Sequence, residues 1–394
     1  RKWSAPLETN DTEMGFLGVT ASGYIRQQTK GHYPAPEAAL EIMLETAGLT
    51  CEQACEKEAA AMGSLFGSPI NRSLINVFFL TDRNKKDDGV DGSFDKKPIQ
   101  RVGVLGAGIM GAGIAAANLK RDIPVSLGDA SSDALDRGFA QTLEEVAFNR
   151  QTKSADPDRI LKFSSFLRRA DQSWEGCDLV VEAIVENADI KRKVLKQIEP
   201  HLSERAILAS NTSTIPITTL AQDLERPENF CGLHFFNPVR RMKLVEVIRG
   251  EATSDETVAR AVSYAKRIGK MPIVLKDGPG FLVNRLLFPY MNEALQLLQA
   301  GVDIERIDRI AKRFGMPMGP IELYDMVGLD TALFAGRVMW EAFPDRIDAS
   351  PILPGMVKKG WLGAKSGLGF YSHKKKKKGR LPLNPELSEI TDQY

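Results

Sequence analysis

Hydrophobic and polar positions along the chain change their spacing twice. Up to about residue 97, apolar residues recur at helical spacing, as in the stretch APEAALEIMLETA at 35–47. From Gln100 to about Lys276, short β-rich runs such as RVGVL and DLVVEAI alternate with helical segments, and from Asn284 to about Phe370 the spacing is helical again. Alternating strands and helices predict a mostly parallel sheet with helices on both faces. The pattern therefore predicts an α/β domain followed by an all-helical domain and preceded by a helical linker segment.

Polar, glycine and proline residues set the predicted domain boundaries. The polar stretch TDRNKKDDGVDGSFDKKP, at 81–98, predicts a linker. We expect a helical linker segment over residues 1–97, an α/β domain over 98–281, a helical domain over 282–373 and a polar tail or linker over 374–394. Because the tail holds a lysine run and prolines, we interpret it as solvated chain rather than as a binding patch.

Composition narrows the class of protein. The chain has 394 residues, of which 43% are hydrophobic and 26% charged, and its formal net charge is +1. With neither a basic excess nor a long uncharged apolar run, we expect no nucleic-acid partner and no membrane insertion. The four cysteines fit a reducing compartment. Cys51 and Cys55 lie one helical turn apart, but no nearby histidine or further cysteine completes a metal site, so we expect none.

The most specific motif opens the α/β domain. The segment RVGVLGAGIMGAGIA places Gly106, Gly108 and Gly111 in G-x-G-x-x-G spacing, directly after an apolar strand and at the start of a helix. In this context the first glycine permits a tight turn, the second lets the backbone approach a pyrophosphate, and the third lets the helix pack on the strand. The motif predicts a Rossmann-type dinucleotide-binding domain, with the phosphates at the positive end of the helix. A glycine-rich turn without a ligand is the alternative.

An acidic residue after the next predicted strand indicates which dinucleotide binds. Asp129 ends the run PVSLGD, where a carboxylate can accept hydrogen bonds from the adenosine ribose 2′-hydroxyl. The same carboxylate would repel a 2′-phosphate, and no arginine occurs among the residues that follow, Ala130 to Ser132. The sequence therefore favours NAD over NADP. Helix capping by Asp129 is the alternative interpretation.

Two titratable residues in neighbouring apolar strands predict acid–base chemistry. His234 lies near the end of the strand NFCGLHF, and Glu246 lies within the next apolar run, KLVEVI. Because ligands bind outside the carboxyl ends of the strands in an open parallel sheet, His234 is expected to face the cofactor crevice. A histidine there can take a hydroxyl proton as hydride leaves carbon, with Glu246 fixing its tautomer. Without the glycine motif, a satisfied core histidine would be the ordinary interpretation.

Six motifs in order along the chain carry a family resemblance. They are GVLGAGIMGAGIA, VVEAIVEN, ASNTSTIPIT, GLHFFNPVRRMKLVEVI, KDGPGFLVNRLL and GMPMGPIELYDMVGLD. Together they resemble L-3-hydroxyacyl-CoA dehydrogenase over residues 98–372. The resemblance implies that His234 is the catalytic base and Glu246 its partner, and that Ser213 and Asn284 hydrogen-bond the substrate near the nicotinamide.

The same resemblance implies that Glu186 and Lys191 lie at the nicotinamide side of the cofactor site. For several of these residues the sequence leaves a second interpretation open. Glu186 and Lys191 could be solvated charges on a helix, and Asn284 could cap a helix. Asn237, before Pro238, could simply shape a turn.

The resemblance also implies a reaction and its setting. We expect NAD-dependent oxidation of a (3S)-3-hydroxyacyl-CoA to a 3-oxoacyl-CoA, a step of fatty-acid β-oxidation. The segment GHYPAPEAALEIM, at 31–43, resembles the part that joins the hydratase and dehydrogenase domains of multifunctional fatty-acid oxidation enzymes, so the chain is expected to be a fragment of one. We expect the fragment to form a homodimer, or the longer protein to join a fatty-acid oxidation complex. A bacterial source would make it cytoplasmic, and mitochondria and peroxisomes are the alternatives.

Other functions stay open on the sequence alone. A related 3-hydroxy acid dehydrogenase is disfavoured by the HFFNP pattern, because many of those enzymes use a lysine in a glycine-rich helix instead. A non-catalytic NAD-binding or structural relative is disfavoured by the joint presence of the four candidate catalytic residues. Residues 1–97 are too few for a hydratase domain, and Glu37, Glu41 and Glu45 recur at the spacing of a solvated helix face. We therefore expect no hydratase activity from this chain.

Overall fold

A computed structural model describes residues 10–149, 151–170, 174–374 and 381–393. Its chain forms two compact units, Arg1–Lys86 and Asp87–Tyr394. The first unit is helical, as the spacing of its apolar residues predicts, and none of its four helices contains a fully buried residue. The helices are α1 (Asp11–Thr29), α2 (Pro34–Thr46), α3 (Cys51–Leu65) and α4 (Pro69–Lys86).

The last of these helices is longer than the sequence predicts. The polar stretch interpreted as a linker begins at Thr81, but α4 continues to Lys86. Asp82 and Lys86 form an ion pair one turn apart, with a distance of 2.7 Å, and the last turn carries three cations. Cations at the negative end of a helix and ion pairs four residues apart both stabilise a helix, so a polar sequence can stay helical.

The second unit begins with a Rossmann-type sheet. Its six helices and the strands between them alternate as the sequence predicts, and two single-turn 3-10 helices occur at Glu199–His201 and Pro227–Asn229. The strands are β1 (Val102–Leu105), β2 (Val125–Gly128), β3 (Phe148–Asn149), β4 (Ser154–Ala155), β5 (Leu167–Arg169), β6 (Leu179–Glu182), β7 (Ile207–Ser210), β8 (Phe230–Phe235), β9 (Leu244–Arg249) and β10 (Met271–Lys276). The helices are α5 (Ile109–Leu119), α6 (Ser132–Ala147), α7 (Pro157–Ser164), α8 (Ala188–Ile198), α9 (Ile217–Ala221) and α10 (Asp255–Arg267).

Eight of these strands form one sheet in the order β10-β9-β8-β7-β6-β1-β2-β5. The six strands from β8 to β5 in this order are mutually parallel, and β3 and β4 form a separate antiparallel pair. β9 is antiparallel to β8 and parallel to β10, so the last two strands run against the rest. The sheet is mostly parallel, as predicted. Strand β9 runs antiparallel to β8 because only eight residues connect the two strands, which is too few for the crossover helix that a parallel pair needs.

Alternate side chains of the strands fill cores on both faces of the sheet. In β6, Leu179 and Val181 join the core that also holds Ile114 of α5 and Ala261 of α10. Val180, between them, joins a second core with Leu195 of α8 and residues of α9. Because successive side chains in a strand point to opposite faces, this division places helices on both sides of the sheet. Most of the candidate site residues lie at or just after the ends of strands in this sheet.

The rest of the second unit is a helical domain around its own core. Gly315, with φ of 128°, ends its second helix as the sequence predicts. The helices are α11 (Val283–Gln299), α12 (Ile304–Phe314), α13 (Pro320–Val327), α14 (Leu329–Ala342), α15 (Ile352–Lys358) and α16 (Ser388–Thr391), with a 3-10 turn at Pro344–Arg346. No helix in the described ranges is long and apolar enough to cross a membrane.

The C-terminal segment differs from the solvated tail that the sequence predicts. Leu387 and Ile390 are buried in the core of the helical domain, and Tyr371 forms a β-bridge with Leu383. Burial of an aliphatic side chain contributes about 1.5–3 kcal/mol to stability. Burial of Leu387 and Ile390 therefore favours packing of this segment on the core, although most of its residues are polar. The lysine run from Lys375 onward lies outside the described residues.

Candidate active site

The glycine motif forms an open turn between β1 and α5. Gly106 has φ of 102°, and a Cβ atom on it would lie 2.5 Å from the carbonyl oxygen of Ala183. A Cβ atom on Gly111 would lie 1.7 Å from the carbonyl oxygen of Gly106, so the helix can approach the turn only without a side chain. A Cβ atom on Gly108 would meet nothing within 4 Å. Gly108 is also the N-cap of α5, and no side chain caps it, which leaves helix N–H groups available to an anion.

Asp129 stands next to this turn, at the end of β2. Its Oδ2 atom accepts a hydrogen bond of 2.8 Å from the backbone N–H of Ala107, and Oδ1 accepts one of 2.9 Å from the N–H of Ser131. Asp129 therefore ties the glycine turn to the neighbouring strand. Ser131, rather than Asp129, caps α6, so the helix-capping alternative for Asp129 is wrong. Its role in ribose recognition stays a prediction.

His234 and Glu246 lie opposite each other on β8 and β9. The antiparallel register pairs the two residues directly, and His234 Nδ1 lies 2.6 Å from Glu246 Oε2. Glu246 is completely buried, and its Oε1 atom accepts hydrogen bonds from the N–H groups of Leu282 and Val283. The other ring nitrogen of His234, Nε2, makes no hydrogen bond within the described part of the chain. The ring therefore has one nitrogen held by a carboxylate and one left for chemistry.

Glu186 connects to the loop that follows β7. Its Oε1 atom accepts hydrogen bonds from the backbone N–H groups of Ser213 and Thr214 and from the hydroxyl groups of Thr212, Ser213 and Thr214, at 2.8–3.2 Å. Burial alone would raise the pKa of Glu186, but the ammonium of Lys191 and these hydrogen bonds hold the pKa below its ordinary value. Glu186 is thus an ionised anchor for the loop that carries Ser213.

Lys191 is buried in the same network. It is 1% exposed, and its Nζ atom lies 2.6 Å from Glu182 Oε1 and 3.4 Å from Glu186 Oε2. The interpretation of Glu186 and Lys191 as solvated helix charges is therefore wrong. Sequence reasoning missed Glu182, whose Oε2 atom also accepts a hydrogen bond from Ser210. The signal was available, because Glu182 is a carboxylate in an apolar strand, as Glu246 is.

Asn284 joins the helical domain to this loop. Its Nδ2 atom donates a hydrogen bond of 3.0 Å to the carbonyl oxygen of Ser213. The N-cap of α11 is Leu282, so Asn284 is not the cap. Asn237 lies in the turn after β8, and the bond to Pro238 is cis. The structure therefore brings Ser213 and Asn284 into contact, while Glu246 holds the start of the same helix.

Other residues singled out by the sequence lie apart from this site. Cys51 and Cys55 are exposed on α3, and Cys177 and Cys231 are buried. Among the described residues no group of three histidine, cysteine, aspartate or glutamate side chains could hold a metal ion. Glu37 accepts hydrogen bonds from Ser22 and Arg26, and Glu45 pairs with Lys57, as on a polar helix surface.

Comparison with known proteins adds the family. The family model for the NAD-binding domain of 3-hydroxyacyl-CoA dehydrogenase matches residues 101–278, and the model for its C-terminal domain matches residues 280–373. The chain belongs to the 3-hydroxyacyl-CoA dehydrogenase family. The predictions of an NAD-dependent dehydrogenase, of its fold class and of NAD as its cofactor are thereby confirmed. The glycine turn, in which Gly108 is open and Gly106 and Gly111 are tightly packed, fits that cofactor.

Solved structures of 3-hydroxyacyl-CoA dehydrogenase relatives share this architecture. (S)-3-hydroxybutyryl-CoA dehydrogenase from Ralstonia eutropha is 39% identical, with a TM-score of 0.66, over 70% of this chain and 100% of that one. FadB2 from M. tuberculosis is 34% identical, with a TM-score of 0.67, over 70% of this chain and 99% of that one.

The curated relatives of this dehydrogenase chain are longer. The fatty acid oxidation complex subunit alpha of Pseudomonas syringae pv. syringae is 42% identical over 382 residues, which cover 95% of this chain and 52% of that protein. The same subunit from a Pseudomonas aeruginosa strain is 39% identical over 98% of this chain and 56% of that protein. The chain thus spans about half the length of these relatives.

Proposed function

We propose that His234 is the general base that takes the hydroxyl proton of a (3S)-3-hydroxyacyl-CoA. The observation that carries this proposal is the 2.6 Å contact between His234 Nδ1 and Glu246 Oε2. A carboxylate at Nδ1 keeps the proton of the neutral ring on that nitrogen, so Nε2 is the acceptor. The positive charge that His234 gains would be stabilised by the negative charge of Glu246. Both side chains are buried, so water screens this attraction weakly.

Ser213 and Asn284 are proposed to orient the substrate beside His234. The two residues are linked by the hydrogen bond from Asn284 Nδ2 to the carbonyl of Ser213, and Glu186 holds the Ser213 hydroxyl. Hydroxyl and amide groups can bind substrate oxygens without competing for the transferred proton. Glu186 and Lys191 would then hold the loop that carries Ser213, and Asn284 is the residue that the helical domain contributes to the site.

The cofactor-binding residues are proposed to be Gly106, Gly108, Gly111 and Asp129, with Glu186 and Lys191 at the nicotinamide side. When bound, NAD supplies the hydride acceptor. The N–H groups at the start of α5 would bind the pyrophosphate, and Asp129 would accept from the adenosine ribose while it holds Ala107. This arrangement would direct the nicotinamide toward the carboxyl ends of β6 to β8.

The biological setting is also a proposal. Because the relatives named above are alpha subunits of fatty acid oxidation complexes, we propose that the substrate is an acyl-CoA of fatty-acid β-oxidation. The longer protein would then be a multifunctional enzyme that joins such a complex. A cytoplasmic location follows if the source is bacterial, like that of these relatives.

We further propose that this chain forms a homodimer through its helical domain. An apolar groove of about 870 Å³ lies between α11 and α12. Leu286, Ile310 and Phe314 along it are 68%, 57% and 82% exposed. A contiguous patch of large, exposed apolar side chains is unusual on a monomer and is typical of an association surface. In a two-fold dimer, the same exposed apolar residues of a second copy would pack against this surface.

Turnover of acetoacetyl-CoA tests the proposed function. The purified chain should oxidise NADH when acetoacetyl-CoA is added, and it should not hydrate crotonyl-CoA. Failure to oxidise NADH, despite a folded protein that binds NADH, would leave only a non-catalytic NAD-binding role. Hydration of crotonyl-CoA that disappears in Glu37→Gln or Glu45→Gln would overturn the expectation that the N-terminal helices are not catalytic.

A further inference from the structure

A second cleft in the same unit is lined by cations. It has a volume of about 490 Å³ and lies between residues 96–100 and one face of α10. Lys96, Lys97, Arg260 and Arg267 line it, and no carboxylate does. Residues 96–100 lead into β1, so the cleft lies at the amino-terminal ends of the parallel strands. His234 lies at their carboxyl ends, so this cleft is separate from the dehydrogenase site.

The carboxylates near the cleft are already engaged. Asp88 pairs with Lys96, and Asp178 accepts the backbone N–H groups of Gln100 and Arg101 at 2.7 and 3.2 Å. Asp95 and Glu256 lie 3.8 and 3.5 Å from Arg205, outside the lining. Lys97 and Arg267 form no ion pair with any residue that the structure describes, and Arg267 donates to the carbonyl of Ile99. Lys97 and Arg267 are therefore cations of the lining that no ion pair with a described residue offsets.

Arg260 is the buried member of the lining. It is 5% exposed, and its terminal nitrogen donates to the carbonyl of Arg205. Its Nε atom is buried and has no hydrogen-bond partner among the described residues. Buried donors are nearly always paired, so an acceptor is missing beside this guanidinium. Arg260 lines the cleft, so an anion bound there would lie beside this guanidinium.

We propose that this cleft binds the phosphate group of a small phosphorylated molecule. A phosphate can accept from the guanidinium fork and carries enough negative charge for more than one cation, whereas a carboxylate carries a single negative charge. The volume exceeds that of one phosphate ion, and the exposed Pro98 offers an apolar contact for the rest of the molecule. This inference does not depend on the proposed dehydrogenase mechanism.

Calorimetric titration of the full chain tests this proposal. Each probe is titrated with and without NADH, because the glycine turn would bind the same anions and NADH itself carries phosphate groups. Inorganic phosphate, pyrophosphate and AMP are the three probes. We expect saturable binding of pyrophosphate or AMP, and a preference for either one supports the proposal by defining a diphosphate or a monoester ligand. Lys97→Gln and Arg267→Gln should each weaken that binding about tenfold, as expected for loss of one charge-assisted contact.

Two further variants complete the experiment. Arg260→Lys keeps the charge but loses the fork, and it should weaken binding as well. Lys358→Gln removes an exposed lysine from α15 in the helical domain and should leave binding unchanged. No saturable heat with any probe up to about 10 mM would overturn the proposal. Binding that Lys97→Gln and Arg267→Gln leave at the wild-type affinity would overturn it too, because the anion would then bind elsewhere.

Discussion

Glu246 is in contact with two parts of the site at once. One carboxylate oxygen faces His234, and the other accepts the N–H groups of Leu282 and Val283, where α11 begins. A fully buried carboxylate is tolerated only when its oxygens are paired in this way. The residue thus links the acid–base group to the helix that carries Asn284.

Replacing Glu246 by glutamine removes the negative charge and keeps nearly the same side-chain shape. The amide can still accept from the backbone of α11, but it cannot stabilise a protonated His234. We expect kcat with acetoacetyl-CoA to fall by about 10²-fold or more, with NADH affinity nearly unchanged. The measurements are the steady-state rates and the melting temperatures of the wild type and of Glu246→Gln. Loss of the folded state, rather than of rate alone, would show that Glu246 is mainly structural.

Asp129 carries a prediction about cofactor choice. A carboxylate beside the adenosine ribose should repel a 2′-phosphate, so kcat/KM for NADH should exceed that for NADPH by at least about tenfold, or about 1.4 kcal/mol. Asp129→Ser should narrow this ratio. Asp129 also accepts the N–H of Ala107 in the glycine turn, so both cofactors are measured in each variant. Equal use of NADH and NADPH by the wild type would contradict the assignment.

The site residues that the sequence predicts best are those that lie within or directly after an apolar strand. His234 and Glu246 could be predicted because each is a titratable residue in an apolar strand, and the three glycines because their spacing directly follows one. Glu182 gave the same signal as Glu246 and was missed, whereas the burial of Lys191 could not be predicted in this way. The helix ADIKRKVLKQI has many charges, and only the position of β6 decides that Lys191 alone points into the protein. The ion pair between Lys191 and Glu182 depends on tertiary contacts, which the sequence of the helix does not show.

At the scale of elements, β6, α8 and the loop after β7 are joined by ionised side chains. Lys191 of α8 contacts Glu182 at the end of β6, and Glu186 holds the loop with Ser213. The network forms because the carboxyl ends of adjacent parallel strands lie side by side. The antiparallel direction of β9 and the length of α4 depend on contacts and ion pairs that apolar spacing alone does not report.

The charge of Glu186 should contribute to stability in a pH-dependent way. Its pKa is lower in the folded protein than its ordinary value of 4.5. A lowered pKa contributes stability that is present above that ordinary value and is lost as the pH falls through the folded pKa. The melting temperature of the wild type should therefore exceed that of Glu186→Gln at pH 6, and the gap should shrink at pH 4. Glu225→Gln, at an exposed carboxylate, is the control, and a gap of equal size at both pH values would count against the assignment.

At the scale of the whole molecule, the groove between α11 and α12 is the surface through which we propose that two copies associate. Its apolar residues lie on the surface of the helical domain, although the same helices have a well-filled core on their other side. The sequence could suggest an apolar face in LLFPYMNEALQLL. It could not show that Leu286 faces outward and Leu287 packs against the core, because both fit the helical pattern.

Self-association through this groove predicts the effect of a charge placed in it. The wild type should sediment as a dimer at micromolar concentrations, and Leu286→Glu or Ile310→Glu should yield a folded monomer. Leu161→Glu changes an exposed leucine of α7, 75% exposed, and should leave the dimer intact. A wild-type monomer, or a dimer that survives both groove variants, would rule out this surface as the interface.

The most direct test of the central claim is the rate of His234→Gln with acetoacetyl-CoA and NADH, measured together with its affinity for NADH. Glutamine is close in size to histidine but cannot cycle a proton near neutral pH. We expect kcat to fall by about 10²- to 10⁴-fold while NADH binds as in the wild type. A variant within a few-fold of the wild-type rate would contradict the assignment of His234 as the base.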